Sequence, residues 1–459
     1  MKAGLSLRFR REHANRSELP AHAWAADIGP GLGTVATDND PGGILTYSLA
    51  GAQYGFDLLW VCVLSYPSMV ALQLIATRVA AVTGKGLTEN MREHYARWIF
   101  LIAVARFLGA NTVNMAADML AMGEAARLMF RGPVAPFIVL FAGASIALQW
   151  WIPYARYANV LKWLALSLFA YAGVMFTTDV PWRAVAWHAL VPGFTWSEDY
   201  FGMLLAVLGT TVSPYLLFSQ AEQEVEERTR AGESRESRNE DPPRLQKMRR
   251  DTLVRTLFSN ACAAFVLVAA AVTLHAAHQP VSSAQAAALA IAPVAHGYAS
   301  PLLGLALLGT ALLALPPLAG SAAHAAASSF GWPQGEQRDR RIAGVLVALM
   351  VVSVAIALLF HASGVDPVKA CYWSALANGM TVAPVLNLLL LLSRRREAAG
   401  EMKSFASRHQ RRCAAVDRGF ATSGRRDTRL HRSHREVPRF DRLHGVRGRA
   451  CRADAYAVG

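Results

Sequence analysis

The amino-acid sequence predicts an all-α protein that crosses a membrane many times. Of its 459 residues, 53% are hydrophobic and only 17% are charged, whereas soluble proteins carry about 25% charged residues. The apolar residues gather in runs of about 20, the length that a helix needs to cross the hydrocarbon of a bilayer. Two of these runs are interrupted by polar residues and helix breakers, which are costly at membrane depth unless they line a cavity.

Ten runs are long and apolar enough to be spans. They cover about 28–50, 57–82, 98–126, 133–151, 157–177, 200–220, 253–274, 301–328, 342–360 and 368–392. The connections alternate between segments that are rich in Lys and Arg and segments that are poorer in them. By the positive-inside rule, both termini are cytoplasmic and residues 1–27 form a cytoplasmic N-terminal segment. We therefore expect a multi-pass protein of the inner (plasma) membrane.

The character of the chain changes after about Leu392. Residues 393–459 are rich in Arg, nearly free of aliphatic side chains and without helical or strand periodicity. Two interpretations are open, a disordered tail and a frameshift that replaces a further helix. Much of the formal net charge of +14 lies in this tail. For that reason we do not expect the charge to indicate nucleic-acid binding.

The first span is interrupted at Asp40-Pro41-Gly42-Gly43. Proline removes a backbone donor, and paired glycines favour irregular backbone. A kink alone would explain the proline but not the adjacent carboxylate, which costs about 2.5–3.5 kcal/mol at the centre of a membrane helix. The combination predicts a cation site.

The sixth span is interrupted at Thr211-Val212-Ser213-Pro214-Tyr215. A single Ser-Pro pair would usually indicate a kink. However, this interruption lies five spans after the first, and broken helices at matching places in two halves indicate an inverted-repeat transporter with its site at the midplane.

With these two breaks, the sequence resembles the natural resistance-associated macrophage protein (NRAMP) family of divalent-metal transporters. The similarity runs over 29–392 and includes "LQLIATRVAAVTGKGLTENMREHY" (72–95) and "LLALPPLAGSAA" (312–323). The resemblance implies a LeuT-type fold with two inverted five-helix repeats, 28–177 and 200–392, and with broken helices 1 and 6.

The resemblance also implies the metal site. Asp40 matches the metal-binding aspartate of the family, and Thr37 and Thr210 match positions that lend backbone carbonyls. The residues expected to shape the site are Pro41, Gly42, Gly43, Pro214 and Tyr215.

Three positions depart from the family pattern. The family's asparagine is Gly43 here, its methionine is Ser213 and its histidine is Tyr215. A hydroxyl in place of a thioether favours Mg²⁺, Ca²⁺ or Mn²⁺ over softer metals. The chain therefore resembles the NRAMP-related magnesium transporter branch, in which the methionine and proton coupling are absent.

Further polar side chains could support the metal ligands. These are Asp38, Asp118, Gln220 and Asn260. For Asp118, a role beside the site and a structural hydrogen bond to Asn111 or Asn114 are both open. Asp38 is expected to face the cavity mouth or to cap the break. For Gln220 and Asn260, support of the metal ligands and a hydrogen bond between helices are both open.

The leading hypothesis is a transporter of divalent cations, Mg²⁺ first and Mn²⁺ next, that works by alternating access without proton coupling. The alternatives are a proton-coupled Mn²⁺/Fe²⁺ symporter, a symporter of organic solutes, and an inactive truncated membrane protein. We expect no enzyme, because no nucleophile elbow, phosphate loop or H-E-x-x-H motif occurs. The expected partners are the divalent ion as substrate and the lipid bilayer, with no cofactor and no nucleic acid; the oligomeric state stays open.

Overall fold

The computed structural model describes residues 38–151, 161, 166–230, 242–281, 283–332 and 336–394, and these residues form no β-strand. The α-helices, labelled in chain order, are α1 (Pro41–Tyr54), α2 (Leu59–Thr83), α3 (Leu87–His94), α4 (Arg97–Phe130), α5 (Val134–Trp151), α6 (Phe169–Thr177), α7 (Trp182–Leu190), α8 (Glu198–Thr211), α9 (Pro214–Arg230), α10 (Pro242–Ala270), α11 (Ala284–Ala288), α12 (Ala292–Ala295), α13 (Ala299–Phe330), α14 (Glu336–Ala362) and α15 (Pro367–Arg394). A π-helical turn, Ala271–His275, extends α10.

Eight helical segments of the described residues are long and apolar enough to cross a membrane. They are Leu59–Thr83, Arg97–Phe130, Val134–Trp151, Glu198–Glu226, Met248–His275, Ala284–Phe330, Arg340–Ala362 and Pro367–Ser393. Each contains or closely overlaps one of the predicted spans. Residues 28–37 of the predicted span 28–50 lie outside the described residues, as do 157–160 and 162–165 of the span 157–177. The segment 1–27 and nearly all of the tail 393–459 also lie outside them. The division into two repeats and a tail stays a prediction.

The helix α4 lies in the middle of the bundle and packs against α13, α14 and α15. Its polar side chains reach neighbouring backbones. The carboxamide of Asn111 donates to the carbonyl of Leu318 over 2.6 Å, and the Ser353 hydroxyl donates to the carbonyl of Thr112 over 3.1 Å. In an apolar environment such bonds satisfy groups that water would otherwise solvate.

The helices α5 and α14 lie at the periphery of the bundle. In the most apolar stretch of each helix, only 22% of the residues are buried. The corresponding share is 72% for the segment Glu198–Glu226, which contains α8 and most of α9. Exposed large side chains such as Leu140 and Leu359 cover these outer faces. An outward apolar face is expected where a helix meets lipid rather than water.

Two helix pairs approach backbone to backbone at glycines. A Cβ atom on Gly51 of α1 would lie 2.2 Å from the carbonyl oxygen of Leu267 in α10. A Cβ on Gly209 of α8 would lie 2.1 Å from the carbonyl oxygen of Ala375 in α15, and one on Gly379 would lie 2.3 Å from the carbonyl oxygen of Leu205. Small residues permit this close packing in membrane bundles. As a result, α1 is held against α10 and α8 is held against α15.

Candidate metal site

The first interruption is a helix start inside the bundle. Asn39 and Asp40 are non-helical, and α1 begins at Pro41. Asp40 is the N-cap residue, with φ −66° and ψ 167°, and its Oδ1 accepts a hydrogen bond of 2.7 Å from the N–H of Gly43. Proline at the first helical position loses no hydrogen bond, because that N–H has no partner in a helix. The local sequence thus explains both the break and the inward direction of the carboxylate.

A second carboxylate, from the middle of α4, reaches the same helix start. Asp118 Oδ1 accepts a hydrogen bond of 3.0 Å from the N–H of Gly42. Between the two acids lies the carboxamide of Asn114, whose Nδ2 is 2.9 Å from Asp40 Oδ2 and 3.4 Å from Asp118 Oδ2. Asp40 is 6% exposed and Asp118 is fully buried. The structure therefore brings two carboxylates together at the break, although the sequence left the role of the second one open.

Three side-chain oxygens converge on the space beside Gly42. A Cβ atom at this glycine would lie 3.4 Å from Asp40 Oδ1, 3.4 Å from Asp118 Oδ1 and 3.6 Å from Asn114 Oδ1. Glycine leaves this space free for another atom. No group of three or more His, Cys, Asp and Glu side chains suited to a metal occurs among the described residues. Any ion held here would therefore need neutral oxygens in addition to the two acids.

The helix α15 fixes the orientation of the Asn114 carboxamide. Ser374 Oγ donates to Asn114 Oδ1 over 2.6 Å, and Asn378 Nδ2 donates to the same oxygen over 3.1 Å. All three side chains are at least nine-tenths buried. Because two donors hold the oxygen, the nitrogen of the carboxamide points at the carboxylates.

The second interruption separates α8 from α9. The helix α8 ends at Thr211, Val212 has φ −110° and ψ 53°, and α9 begins at Pro214. The hydroxyl of Ser213 donates to the carbonyl oxygens of Thr210, over 2.9 Å, and of Gly209, over 3.0 Å. These carbonyls belong to the last turn of a helix and have no partner along it. The hydroxyl of Ser213 keeps its lone pairs available for a further contact.

A tyrosine connects the two broken helices. The Tyr47 hydroxyl of α1 lies 3.0 Å from Thr211 Oγ1 at the end of α8. Both side chains are buried. The ring of Tyr47 also lies 3.5 Å from the Cβ position of Gly43, in the first turn of α1. The start of α1 and the end of α8 are therefore on either side of this side chain, as the inverted-repeat hypothesis requires.

Before the break, the chain is held to α10 by polar contacts. Asp38 Oδ2 lies 3.7 Å from Arg255 Nε, and Asn39 Nδ2 donates to Ser259 Oγ over 3.2 Å. The guanidinium also donates to Gln73 Oε1 of α2 over 2.8 Å. Asp38 thus faces a cation of the protein itself.

A family model described as natural resistance-associated macrophage protein-like matches residues 31–410. The chain belongs to that family. It is a multi-pass membrane protein, and the match confirms the NRAMP resemblance inferred from the breaks and motifs.

Two curated relatives carry the name "Divalent metal cation transporter MntH". The one from Verminephrobacter eiseniae is 30% identical over 200 residues, which cover 41% of this chain and 44% of the relative. The one from Brucella suis is 25% identical over 319 residues, which cover 67% of this chain and 65% of the relative. The chain thus spans between about half and two thirds of the length of these relatives.

Solved structures agree with the NRAMP fold. The manganese transporter of Eremococcus coleocola superposes with a TM-score of 0.63 at 19% identity, covering 83% of this chain and 82% of that one. Mhp1, a nucleobase-cation-symport-1 family transporter, superposes with a TM-score of 0.51 at 12% identity, covering 72% and 70%. These likenesses confirm the predicted LeuT-type fold.

The remaining predicted residues of the candidate site lie at or near the two breaks or beyond the described residues. Thr37 lies outside the described residues. The carbonyl of Thr210 and the hydroxyl of Ser213 bond to each other. Tyr215 is buried near the start of α9. About one and a half turns further along this helix, the amide atoms of Gln220 are buried without a hydrogen-bond partner.

Asn260 is engaged in helix packing. Its Nδ2 donates to the carbonyl of Cys62 over 2.9 Å and to Ser65 Oγ over 3.3 Å. Both acceptors belong to α2. For Asn260, the sequence left open a supporting role at the site and a hydrogen bond between helices. The contacts with α2 are of the second kind.

The sequence did not indicate three residues of this candidate site. The sequence indicates Asn114 only as a possible hydrogen-bond partner of Asp118, and it indicates no role for Ser374 or Asn378. A signal was present, because Ser374 and Asn378 are polar residues one helical turn apart in a mostly apolar span, and such residues face the interior of a bundle.

Proposed function

We propose that this protein transports divalent cations across the membrane, with Mg²⁺ preferred over Mn²⁺, by alternating access and without proton coupling. The ion binds at the first break, where Asp40 and Asp118 supply charge. Carbonyl and hydroxyl oxygens of the second break, from Thr210 and Ser213, complete the site, and the family resemblance adds the carbonyl of Thr37. The main support for this function is that the buried carboxylates of Asp40 and Asp118 both accept a hydrogen bond from Asn114.

Charge balance supports a divalent ion. Two carboxylates buried together repel each other, and ionised groups in a low-dielectric interior need compensation. One doubly charged ion between Asp40 and Asp118 balances both carboxylates, whereas a monovalent ion balances one. The names of the curated relatives support the same class of substrate.

The chemistry of the oxygens supports Mg²⁺. Mg²⁺ prefers oxygen ligands and usually keeps several waters. Because Gly42 has no side chain, the space beside Oδ1 of Asp40 and Oδ1 of Asp118 stays open, so an ion bound there can keep water ligands. A thioether, which favours softer metals, is replaced by the hydroxyl of Ser213.

The family and the distribution of Lys and Arg indicate the class of protein and its location. The chain belongs to a family of transporters and not of enzymes, and the divalent ion is the substrate rather than a resident cofactor. Both termini lie in the cytoplasm and the membrane is the inner (plasma) membrane, because the Lys- and Arg-rich connections fall on the side of the termini.

Replacement of either carboxylate tests the site. In proteoliposomes loaded with a Mg²⁺-sensitive dye, we expect Asp40→Asn to abolish uptake and Asp118→Asn to weaken it about tenfold or more. Asparagine preserves the size of each side chain and its acceptor for the helix N–H. The matched control is Asp57→Asn, whose half-exposed carboxylate lies outside the site and whose uptake should equal that of the wild type. Normal Mg²⁺ and Mn²⁺ uptake by folded Asp40→Asn would refute the proposal.

A second measurement separates the proposal from proton-coupled Mn²⁺ transport. Vesicles that contain a pH dye should show Mg²⁺ entry without acidification, because the titratable histidine of the family is Tyr215 here. Strict acidification during Mn²⁺ entry, with no competition by Mg²⁺, would favour a proton-coupled Mn²⁺/Fe²⁺ symporter instead.

A further inference from the structure

The carboxamide of Asn114 has a partner for every hydrogen-bonding position. Its Nδ2 donates to Asp40 Oδ2 and Asp118 Oδ2, over 2.9 and 3.4 Å. Its Oδ1 accepts from Ser374 Oγ and Asn378 Nδ2, over 2.6 and 3.1 Å. An asparagine side chain offers two donors and two lone pairs, so both ends are fully used. The side chain thus links the two carboxylates to α15.

In this orientation the N–H end of the carboxamide faces the carboxylates, and Oδ1, which lies 3.6 Å from the Cβ position of Gly42, is occupied by the two donors of α15. The N–H groups, which carry partial positive charge, lie against the carboxylate oxygens of Asp40 and Asp118 that an ion would use. Divalent cations bind carboxamides through the oxygen. Gly43, the second glycine after Asp40, offers no side-chain oxygen that could serve instead.

We infer that Asn114 is itself a ligand of the transported ion, and that it turns its carboxamide by half a rotation to become one. This inference rests on the proposed function of the same site. Rotation about the Cβ–Cγ bond brings Oδ1 to the two carboxylates and turns Nδ2 towards α15. The ion then has two charged oxygen groups and one neutral oxygen from a single side of the cavity.

The rotation requires a response from α15. The hydroxyl of Ser374 donates to Asn114 in the structure and accepts equally well, so it serves both orientations. The amide nitrogen of Asn378 serves only the present one, because two N–H donors would otherwise meet. Asn378 must therefore turn its own carboxamide and present its oxygen. Ser374 and Asn378 are positioning residues that act through Asn114.

The rotation of the Asn114 and Asn378 carboxamides connects the two breaks. Asn378 lies next to Gly379, at which α15 packs backbone to backbone against α8. The helix α8 ends at the second break, beside Ser213. Ion binding at the first break therefore changes hydrogen bonds on the helix that supports the second break.

The decisive variant is Asn114→Leu, which preserves the approximate size of the side chain and removes its oxygen. Using isothermal titration of the purified full chain with MnCl₂ and MgCl₂, we expect binding to weaken about tenfold or more. If Asn114 only holds the carboxylates as a donor, its removal frees them for the ion, and binding would be unchanged or tighter. That result would overturn the inference.

The matched control lies one turn earlier on the same helix. The carboxamide of Asn111 donates to the carbonyl of Leu318, away from the carboxylates. Asn111→Leu should lower thermal stability and leave Mn²⁺ and Mg²⁺ affinity close to that of the wild type. Equal weakening by Asn111→Leu and Asn114→Leu would show a loss of packing rather than of a ligand, and would overturn the inference.

A double-mutant cycle tests the rotation without removing the ligand. Asn378→Asp presents only acceptors to Asn114, which matches the turned carboxamide and should tighten Mn²⁺ binding several-fold. An added negative charge also attracts cations in general, so the same change is made in Asn114→Leu. The tightening should disappear in that background. Equal tightening in both backgrounds would contradict the rotation.

The outcomes separate this inference from the proposed function. Wild-type protein that binds neither ion, or Asp40→Asn that binds both normally, would reject the proposed site as a whole. Loss of binding in Asp40→Asn together with wild-type affinity in Asn114→Leu would reject only the role of Asn114.

Discussion

Gly42 is the residue that leaves room between the two carboxylates. Its backbone is not in the left-handed region, and an added methyl would make ordinary contacts of 3.4–3.6 Å with the three oxygens around it. Gly42→Ala should therefore fold normally but bind Mg²⁺ about tenfold more weakly, since the methyl occupies the space of the ion or its water. Isothermal titration measures this change.

The control for this prediction is Gly109→Ala on α4. Nothing lies within 4 Å of a Cβ atom at that position, and alanine is the better helix former. Gly109→Ala should keep wild-type affinity with equal or higher thermal stability. Wild-type affinity in Gly42→Ala as well would show that the ion does not use this space.

In the proposed site, the side chain of Ser213 decides whether hard or soft metal ions are preferred. Ser213→Met replaces a hydroxyl by a thioether at the second break, which should shift the preference from Mg²⁺ towards Mn²⁺ and Cd²⁺. Competition among the three ions in proteoliposome uptake measures the shift. Ser213→Ala removes the hydroxyl without adding sulfur and should not show the gain for Cd²⁺. Equal selectivity in the methionine variant and the wild type would contradict an ion contact at this position.

The residues of the site differ in how far the sequence could predict them. The buried position of Asp40 at the break was predictable, because a carboxylate beside a proline and two glycines is costly in a membrane unless protein surrounds it. The roles of Asn114, Ser374 and Asn378 depend on contacts between residues 74 and 260 positions apart in the chain. Local patterns carry no information on such contacts, so these roles required the packing of α4 and α15 against α1.

At the level of helices, the two breaks were predictable because their causes are local. Proline begins both α1 and α9, and each time the preceding residues leave the helical conformation. The neighbours of these helices were not predictable, because close approach depends on which glycines meet. The sequence contains 34 glycines, and only the structure shows that Gly209 and Gly379 meet.

The contact between α8 and α15 yields a prediction of stability. A methyl on Gly209 would meet the carbonyl oxygen of Ala375 at 2.1 Å, so the two backbones must separate. Gly209→Ala should lower the free energy of unfolding by about 1–3 kcal/mol, as overpacking does, and thermal unfolding in detergent measures it. In α14, Gly344→Ala has nothing within 4 Å and serves as the control. If both variants unfold at the wild-type temperature, the close contact does not contribute to stability.

Across the whole molecule, the helices α1 and α8 and the residues before the first break are held in place by different kinds of contact. On one side, Gly51 and Gly209 hold α1 and α8 against their neighbours by direct backbone packing. On the other side, the residues before the first break are held by the Asp38–Arg255 ion pair and the Asn39–Ser259 hydrogen bond. Water can replace a hydrogen bond or an ion pair at small net cost. It cannot replace the van der Waals contacts between closely packed backbones. Opening should therefore begin on the side of the polar contacts.

This asymmetry predicts a gradient of amide hydrogen exchange. In detergent, peptides around residues 38–40 and 252–260 should exchange faster than peptides around 203–211 and 374–381, because local opening follows the weaker contacts. Arg255→Met leaves the carboxylate of Asp38 buried without its partner, which costs about 3–5 kcal/mol, and should accelerate exchange in the first two regions alone. The reverse order of exchange, or equal acceleration in all four regions, would mean that the glycine contacts separate first and that the ion leaves past α8 and α15 instead.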